Sequence, residues 1–519
     1  MRNEARPAAK MAARMERALL GGMSVRGIQV RLFLTCWVIY ALHFSPFVTR
    51  ELYLVLSLAE HHSQKVDDYA GLHPDLVTFP GRGTFMTNNP GASMAAAVPY
   101  WLALPVMNRI APVKPPQPGE DVRVDTKEQR LMRIWFYQKA REKGLDVRLG
   151  AAASFTAVFF MAPLAALSAL LMFRLFGHLG YGTRGSLWLA LLYAFGTPVF
   201  FRAATLSLNL FVTLLGLAGV VLLWWPAGTR PQWEKWRYIL AGFLGGYAVL
   251  TDYSGAVSAA TLGLYGFALQ VKKKKFLPGL RFSLWFLAGA APPVLALLWW
   301  QWLCYGNPWL PAQMHMPTQI FKGLYESERG VGWPKAQILW GLLFDPLYGL
   351  LVFAPIFGLV LYHFVVLRRG ESRLPGHVVV FTWSFFAALM LFLSCIHYTM
   401  RHQWQEGVRY IVPVVPFFFL LLAEVLERIP RWIAYTAGAL AVLEMWCLAM
   451  VREHPLVSIE RVFMRGPELP WLTTLIKTAA QNAPALAEGA SPFGLFLIVG
   501  VVIWGMWRVR VAWLDGVAK

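Results

Sequence analysis

Leu149–Phe173 (LGAAASFTAVFFMAPLAALSALLMF) contains no Asp, Glu, Lys or Arg. About 18 apolar residues suffice to cross a bilayer as an α-helix, so this stretch alone takes the chain out of the ordinary soluble class. Working outward from it, Leu32–Thr49, Ala203–Thr229, Phe282–Phe321, Pro346–Leu367 and Leu374–Met400 are equally free of acidic and basic residues. The whole chain of 519 residues follows suit: 57% are hydrophobic and only 15% charged. A cytosolic enzyme is excluded and a polytopic α-helical membrane protein is expected. Paired tryptophans at segment ends, Trp224-Trp225 and Trp299-Trp300, suit the headgroup region.

The formal charge of +20 does not point to nucleic acid. Lys and Arg fall in short runs between apolar segments, as in cytoplasmic loops, and no single basic domain exists. Cys36, Cys304, Cys395 and Cys447 stand alone, so they form neither a disulfide framework nor a zinc site. Arg2, Arg6, Lys10, Arg14, Arg17, Arg26 and Arg31 precede the first apolar run, and no small-residue cleavage site follows it. The expectation is an uncleaved anchor with residues 1–30 in the cytoplasm.

The positive-inside bias then fixes the expected topology. Were Gly91–Ala111 to cross, Arg230/Lys235/Arg237, Lys272–Lys275, Arg368/Arg369/Arg373 and Arg428/Arg431 would all lie outside. Laid instead along the outer surface, interrupted by Pro99 and Pro105, it leaves all of them inside. About twelve spans are expected, near 31–49, 149–174, 185–201, 205–225, 238–252, 254–271, 281–303, 347–367, 376–396, 411–427, 432–450 and 492–510. The fold class is thus all-α, one helical bundle with no separate soluble domain: a core over 31–430, and C-terminal helices over 431–519 with a short external loop near 451–491. The first external loop, about 50–148, is the largest. Within it Thr126-x-x-Gln129 resembles a capping box, and Leu131, Ile134, Trp135 and Gln138 follow at helical spacing, indicating an interfacial helix.

Most polar, non-basic material falls in the external segments, so the chemistry is sought there. Thr49-Arg50-Glu51-Leu52-Tyr53 stands where the first span emerges, followed by Glu60-His61-His62, Asp67-Asp68-Tyr69 and His73-Pro74-Asp75. A carboxylate fixed just above the bilayer is placed to take a proton from an acceptor hydroxyl. Glu51 is the best placed, although pairing with a neighbouring Arg is the commoner reason for a lone carboxylate there. Adjacent His61 and His62 diverge by about 100° on a helix and do not converge on one ion. A divalent cation held by Glu51 and Asp67/Asp68 with a phosphate stays open. Gly81–Ser93, including Asn88-Asn89-Pro90-Gly91, is rich in turn residues. Late in the chain, Arg401-His402-Gln403-Trp404-Gln405-Glu406-Gly407-Val408-Arg409-Tyr410 leads into a helix with Pro413 and Pro416. Outward guanidinium groups suit a phosphate, because the planar fork donates two charge-assisted hydrogen bonds. Gly180-Tyr181-Gly182-Thr183-Arg184-Gly185 matches G-x-G-x-x-G only formally, since it joins two membrane helices rather than following a strand.

Taken in order, these pieces resemble the type C glycosyltransferase superfamily, the polytopic enzymes that use polyprenyl-phosphate sugars. The resemblance spans 31–430. It rests on Glu51 with Tyr53 and Glu60, on Asn88-Asn89-Pro90-Gly91, on Gly196-Thr197-Pro198, on Leu342–Leu350 and on Gly407-Val408-Arg409-Tyr410 with Pro413 and Pro416. Unlike many members, the chain has Arg50-Glu51 in place of a compact Asp-Glu pair, with Asp67-Asp68 following later, so the base is Glu51 or Asp67/Asp68. No acidic residue lies between Gly196 and Leu208, where Arg202 and Asn209 are the nearest polar groups. The resemblance implies sugar transfer to an acceptor, a glycan, lipid or protein, at the extracytoplasmic face of the cytoplasmic membrane. Arg409, aided by Arg401, Arg202 or Lys322, would stabilise the departing polyprenyl phosphate, and Tyr53, Asn88, Asn89, Asp252 and His402 would complete the substrate loops. The other classes in view are a polytopic transporter, for which Glu424 and Glu444 are the intramembrane candidates, and a lipid-linked-sugar flippase or ligase.

Overall fold

The first helix shows why the bundle starts where it does. In the computed structural model, which describes residues 23–118, 122–124, 131–224, 231–274, 276–315, 330–397, 407–478 and 489–515, α1 spans Val25–Leu42. Its N-cap is Ser24, whose Oγ accepts from Gly27 N at 2.9 Å. Residues 31–49 were expected to form the first span; the helix instead begins and ends several residues earlier. Arg31 lies inside α1 because its guanidinium is satisfied there. It donates to both Asp515 oxygens at 2.9 and 2.8 Å, to Met506 O and to Val509 O. Residues 44–49, around Pro46, are not helical, and the chain restarts as α2, Arg50–Glu60. Glu51 therefore sits in the first turn of a separate helix.

The first loop holds a hairpin that an all-α reading misses. β1 (Leu76–Phe79) pairs antiparallel with β2 (Gly83–Met86), Leu76 facing Met86. The turn needs residues free of a Cβ penalty, and Gly81 and Gly83 supply φ of 75° and 114°. Then comes α3, Gly91–Ile110, and, where the helical spacing predicted one, α4 over Leu131–Glu142.

The remaining long helices are α5 (Asp146–His178), α6 (Gly182–Phe195), α7 (Leu208–Trp224), α8 (Pro231–Thr251), α9 (Gly255–Lys274), α10 (Phe276–Tyr305), α11 (Pro355–Arg368, beginning as a 3₁₀-helix), α12 (Gly376–Ser394), α13 (Val415–Arg428), α14 (Arg431–Val451) and α15 (Phe493–Arg508). Among the described residues, α1, α5, α10, α12 and α14 are long and apolar enough to cross a membrane, and α7, α11 and α15 are shorter apolar helices. The protein is a helical membrane bundle. The segment 238–252 belongs to a 21-residue helix starting at Pro231, about 31 Å long at 1.5 Å per residue.

Side-chain ties sort the helix termini into two ends. At one, Arg174 near the close of α5 reaches Gln29 near the start of α1, Arg237 of α8 donates to Leu222 O of α7, and Arg373 donates to Gly180 O between α5 and α6. There the turn after α11 folds onto Glu424 of α13, which accepts from His363 Nε2 at 2.7 Å, Ser372 Oγ at 2.6 Å and Leu374 N at 2.9 Å. Glu424 is thus committed to holding this basic end together. The Gly180–Gly185 motif is the turn into α6 and that helix's first residues, beneath Arg373, with no strand before it.

At the other end, just after α1, Ser45 N donates to Ala204 O ahead of α7. Both termini of α3 belong here. Tyr247 OH and Asn89 Nδ2, at its start, tie it to the close of α8 through Gly91 O (2.9 Å) and Val249 O (2.7 Å). A Cβ on Gly91 would come within 2.8 Å of the Leu250 carbonyl, so glycine permits this approach. At its far end Arg148, in the first turn of α5, donates to Asn108 Oδ1 and Ala111 O. Between these ties α3 runs beside the first half of α5: Ala92 lies in the cluster with Phe160 and Leu164, Tyr100 meets Phe155, and Asn108 meets Arg148. Its Val98, Trp101, Leu102, Val106 and Ile110 are exposed, an apolar face suited to lipid.

Candidate active site

Helix α2 carries the centre of the loop end. Leu52–Leu56 are buried, and Ser93 Oγ donates to the Glu51 carbonyl at 2.8 Å, so α2 packs along α3. At its C-terminal turn Glu60 accepts from Tyr100 OH at 3.0 Å and from Arg148 Nε at 2.8 Å, with Arg148 Nη2 at 2.7 Å. This buried group fixes one end of the helix and leaves Glu51 set at the other.

Glu51 is 3% exposed. Arg50 Nε donates to its Oε1 at 2.9 Å, and Arg50 Nη1 also reaches Asp75 Oδ2. Burial alone would weaken the Arg50 cation, but Asp75 and Glu51 outweigh it and hold the guanidinium firmly charged. The pairing with a neighbouring arginine that the sequence left open is realised, yet no described residue donates to Glu51 Oε2. Asn88 joins the same group. With its amide turned to satisfy both ends, its oxygen accepts from Arg50 Nη2 at 2.5 Å and its nitrogen donates to Thr87 O at 3.1 Å; the opposite orientation would leave only a 3.4 Å contact to Glu51.

His73 adjoins this group through Asp75. Asp75 N donates to its Nδ1 at 3.1 Å, which fixes the neutral tautomer with the proton on Nε2. Burial lowers its tendency to protonate; Asp75 and Glu51 oppose that shift, while Arg50 and Arg409 add to it. Glu51 and Arg409, distant in sequence, thus act electrostatically on one imidazole. The Arg409 guanidinium lies over the Tyr410 ring, 5.1 Å from its centroid, and its Nε donates to Asn209 Oδ1 at 3.3 Å. Arg202, 2% exposed, donates to Ser207 Oγ at 3.0 Å, just ahead of α7.

Other expected residues have different employment. Asp67 accepts from Thr84 N at 2.5 Å and anchors the hairpin, while the exposed Asp68 lies 3.3 Å from His61. Tyr53 is buried between Tyr69 and His73, in the core rather than on a substrate surface. Asp252 caps α9 by accepting from Ser254 N and Oγ. Asn89 ties α3 to α8. Lys322, Arg401 and His402 lie outside the described residues. The donors do not fit a divalent cation: Glu51, Asp67 and Asp68 face separate partners, and among the described residues no group of three or more His, Cys, Asp or Glu is placed to hold a metal.

Asp75 and Asn209 are the groups that sequence reasoning passed over. Asp75 stood in a quoted stretch, but its approach to Arg50 depends on the hairpin that follows it. Asn209 was noted only as a nearby polar group. Compared with protein-family models, curated proteins and solved structures, the chain matches none.

Proposed function

We propose that the protein is a membrane glycosyltransferase that moves a sugar from a polyprenyl-phosphate donor to an acceptor at the extracytoplasmic face, in a twelve-span bundle whose basic end faces the cytoplasm. The observation that carries this reading is that Glu51, in the first turn of α2, and Arg409, bonded to Asn209 at the start of α7, stand at the same end, opposite the basic turns. A base and a guanidinium within one field are the minimum for displacing a phosphate-linked sugar.

In this reading the acceptor hydroxyl gives its proton to Glu51 Oε2 as its oxygen bonds to the anomeric carbon. The bond from that carbon to the phosphate oxygen breaks, and the electron pair leaves with the lipid phosphate, whose growing charge Arg409 offsets. Arg50 holds the Glu51 carboxyl through its Oε1, and Asn88 and Asp75 keep Arg50 in place. Outward orientation is supported by the basic runs at the opposite end.

The test is purified full-length chain in liposomes with radiolabelled polyprenyl-phosphate hexoses and pentoses and a membrane extract as acceptor source. Transfer of label from any donor is expected. Uptake of a solute with no transfer would put a transporter in its place.

A further inference from the structure

Glu444 is an acidic residue of a membrane-spanning helix that the site at the loop end does not use. It lies on α14, which starts at Arg431, directly after the basic end of α13. The helix closes at Val451 beside the start of α7, where Arg452 donates to Phe201 O. At 1.5 Å per residue Glu444 stands about 20 Å from the basic end and about 10 Å beneath the loop end, within the hydrocarbon that a span crosses. The helix buries Ala434, Gly438, Ala441, Met445 and Leu448 against the bundle. Glu444 is at the rim of that face, partly exposed, beside Leu440 and Leu443, which are 60% and 41% exposed.

Ionisable residues inside a membrane are rare and mostly pair with one another. Glu424 obeys this, being held by His363, Ser372 and Leu374 N. Glu444 does not: among the described residues none donates a hydrogen bond to it and no cation pairs with it. Its polar neighbours Trp446 and His43 are engaged with each other, the indole N–H donating to His43 Nε2 at 2.8 Å. A second copy of the chain offers no remedy. Apart from Arg148, which is buried on Glu60, the Lys and Arg of the apolar helices lie toward the basic end, far from the depth of Glu444.

We propose that Glu444 is the docking point for a membrane-spanning helix of a different protein, one that carries a lysine or arginine about 10 Å beneath the loop end. Charge complementarity selects this occupant. A basic side chain at that depth is as costly in lipid as the carboxylate, so each group relieves the other, and polar contacts of this kind are what hold membrane helices together where apolar surface gives no preference over lipid. Leu440 and Leu443 supply the apolar surface on either side. Neither the sugar nor its carrier enters into this pairing.

The test is fluorescence energy transfer in liposomes between the donor-labelled full chain and acceptor-labelled Leu/Ala peptides of about 20 residues, long enough to span. One peptide carries a single Lys about seven residues from one end, the second has Leu there and the third Glu. The Lys peptide is expected to associate roughly three- to twentyfold more tightly than the Leu peptide, the range spanned by single polar contacts between membrane helices. Glu444→Gln keeps the size of the side chain and should abolish that preference. Glu444→Asp keeps the carboxylate and should retain most of it, which separates loss of charge from loss of fold. Equal association of the Lys and Leu peptides, or a preference that survives Glu444→Gln, would overturn the docking point. The Glu peptide binding as well as the Lys peptide would mean a neutral carboxyl and would overturn the cationic partner. Energy transfer between two labelled copies of the chain that lapses in Glu444→Gln would put a second copy in its place.

Discussion

Arg50 and Glu51 are consecutive, yet their side chains meet, Nε to Oε1 at 2.9 Å, while the same guanidinium spans to Asp75. One cation thus ties the proposed base to a second carboxylate 24 residues on. Glu51→Gln keeps the shape and the Arg50 contact but cannot take a proton, so transfer should fall by about 10²-fold or more, with the thermal midpoint in detergent little changed. Wild-type transfer rates in Glu51→Gln would remove it as the base.

Arg50→Met leaves two largely buried carboxylates without their cation. Breaking a buried pair from one side costs about 3–5 kcal/mol; partial exposure of Arg50, at 20% of its side chain, puts this case toward the lower figure. Thermal unfolding monitored by tryptophan fluorescence should show the loss. A midpoint equal to wild type would mean that Asn88 and solvent satisfy Glu51 and Asp75 unaided.

Asp67 and Asp68 separate structure from chemistry. Asp67→Ala strips the buried Thr84 N–H of its acceptor and should cost about 1–3 kcal/mol. Asp68→Ala, at an exposed position, should stay within about 0.5 kcal/mol. Transfer, measured below the unfolding temperature, should survive both. A defect in Asp67→Ala as deep as that of Glu51→Gln would shift the base to Asp67.

The helical bundle was legible because uninterrupted apolar runs leave a chain few options in lipid, and each apolar segment read from the sequence contains helix among the described residues, although 44–49 is not helical and 347–367 is broken at Ala354. Boundaries were less legible. The start of α1 depends on Asp515 at the other end of the chain, whose carboxylate allows Arg31 to be buried, and no local signal announces such a partner. The hairpin of residues 76–86 was missed because its strands are four residues each and lie within a turn-rich stretch. Glu51 and Arg409 were singled out because each flanks a predicted helix. Asp75 was not singled out, since its role arises only when the hairpin returns it to Arg50. Asp67-Asp68 looked like a site because adjacent carboxylates draw the eye, but the backbone turns them toward Thr84 and His61.

His73 predicts a pH dependence with a definite sign. Its folded pKa lies below the ordinary imidazole value, chiefly through burial, so the unfolded chain binds the proton more readily. The stabilisation from a neutral His73 is complete above about pH 6.5 and is lost as pH falls from there toward the folded pKa. His73→Gln can accept from Asp75 N but does not titrate. Its midpoint should therefore drop less than that of wild type between about pH 7.5 and about pH 5. Equal drops would place the acid sensitivity elsewhere.

Orientation is the premise on which the rest stands, and two exposed positions decide it. In a chain with Cys36, Cys304, Cys395 and Cys447 replaced by Ala, a single cysteine is placed at Arg82, on the hairpin turn, or at Lys272, near the end of α9. In intact cells a membrane-impermeant maleimide should label Arg82→Cys directly, and Lys272→Cys only after permeabilisation. Both being labelled from the same side would mean that α3 crosses the bilayer. Its termini would then have to part from either α8 or α5, breaking Asn89 from Val249 O or Arg148 from Asn108. Glu51 would lie across the membrane from Arg409, and a single displacement could not use both.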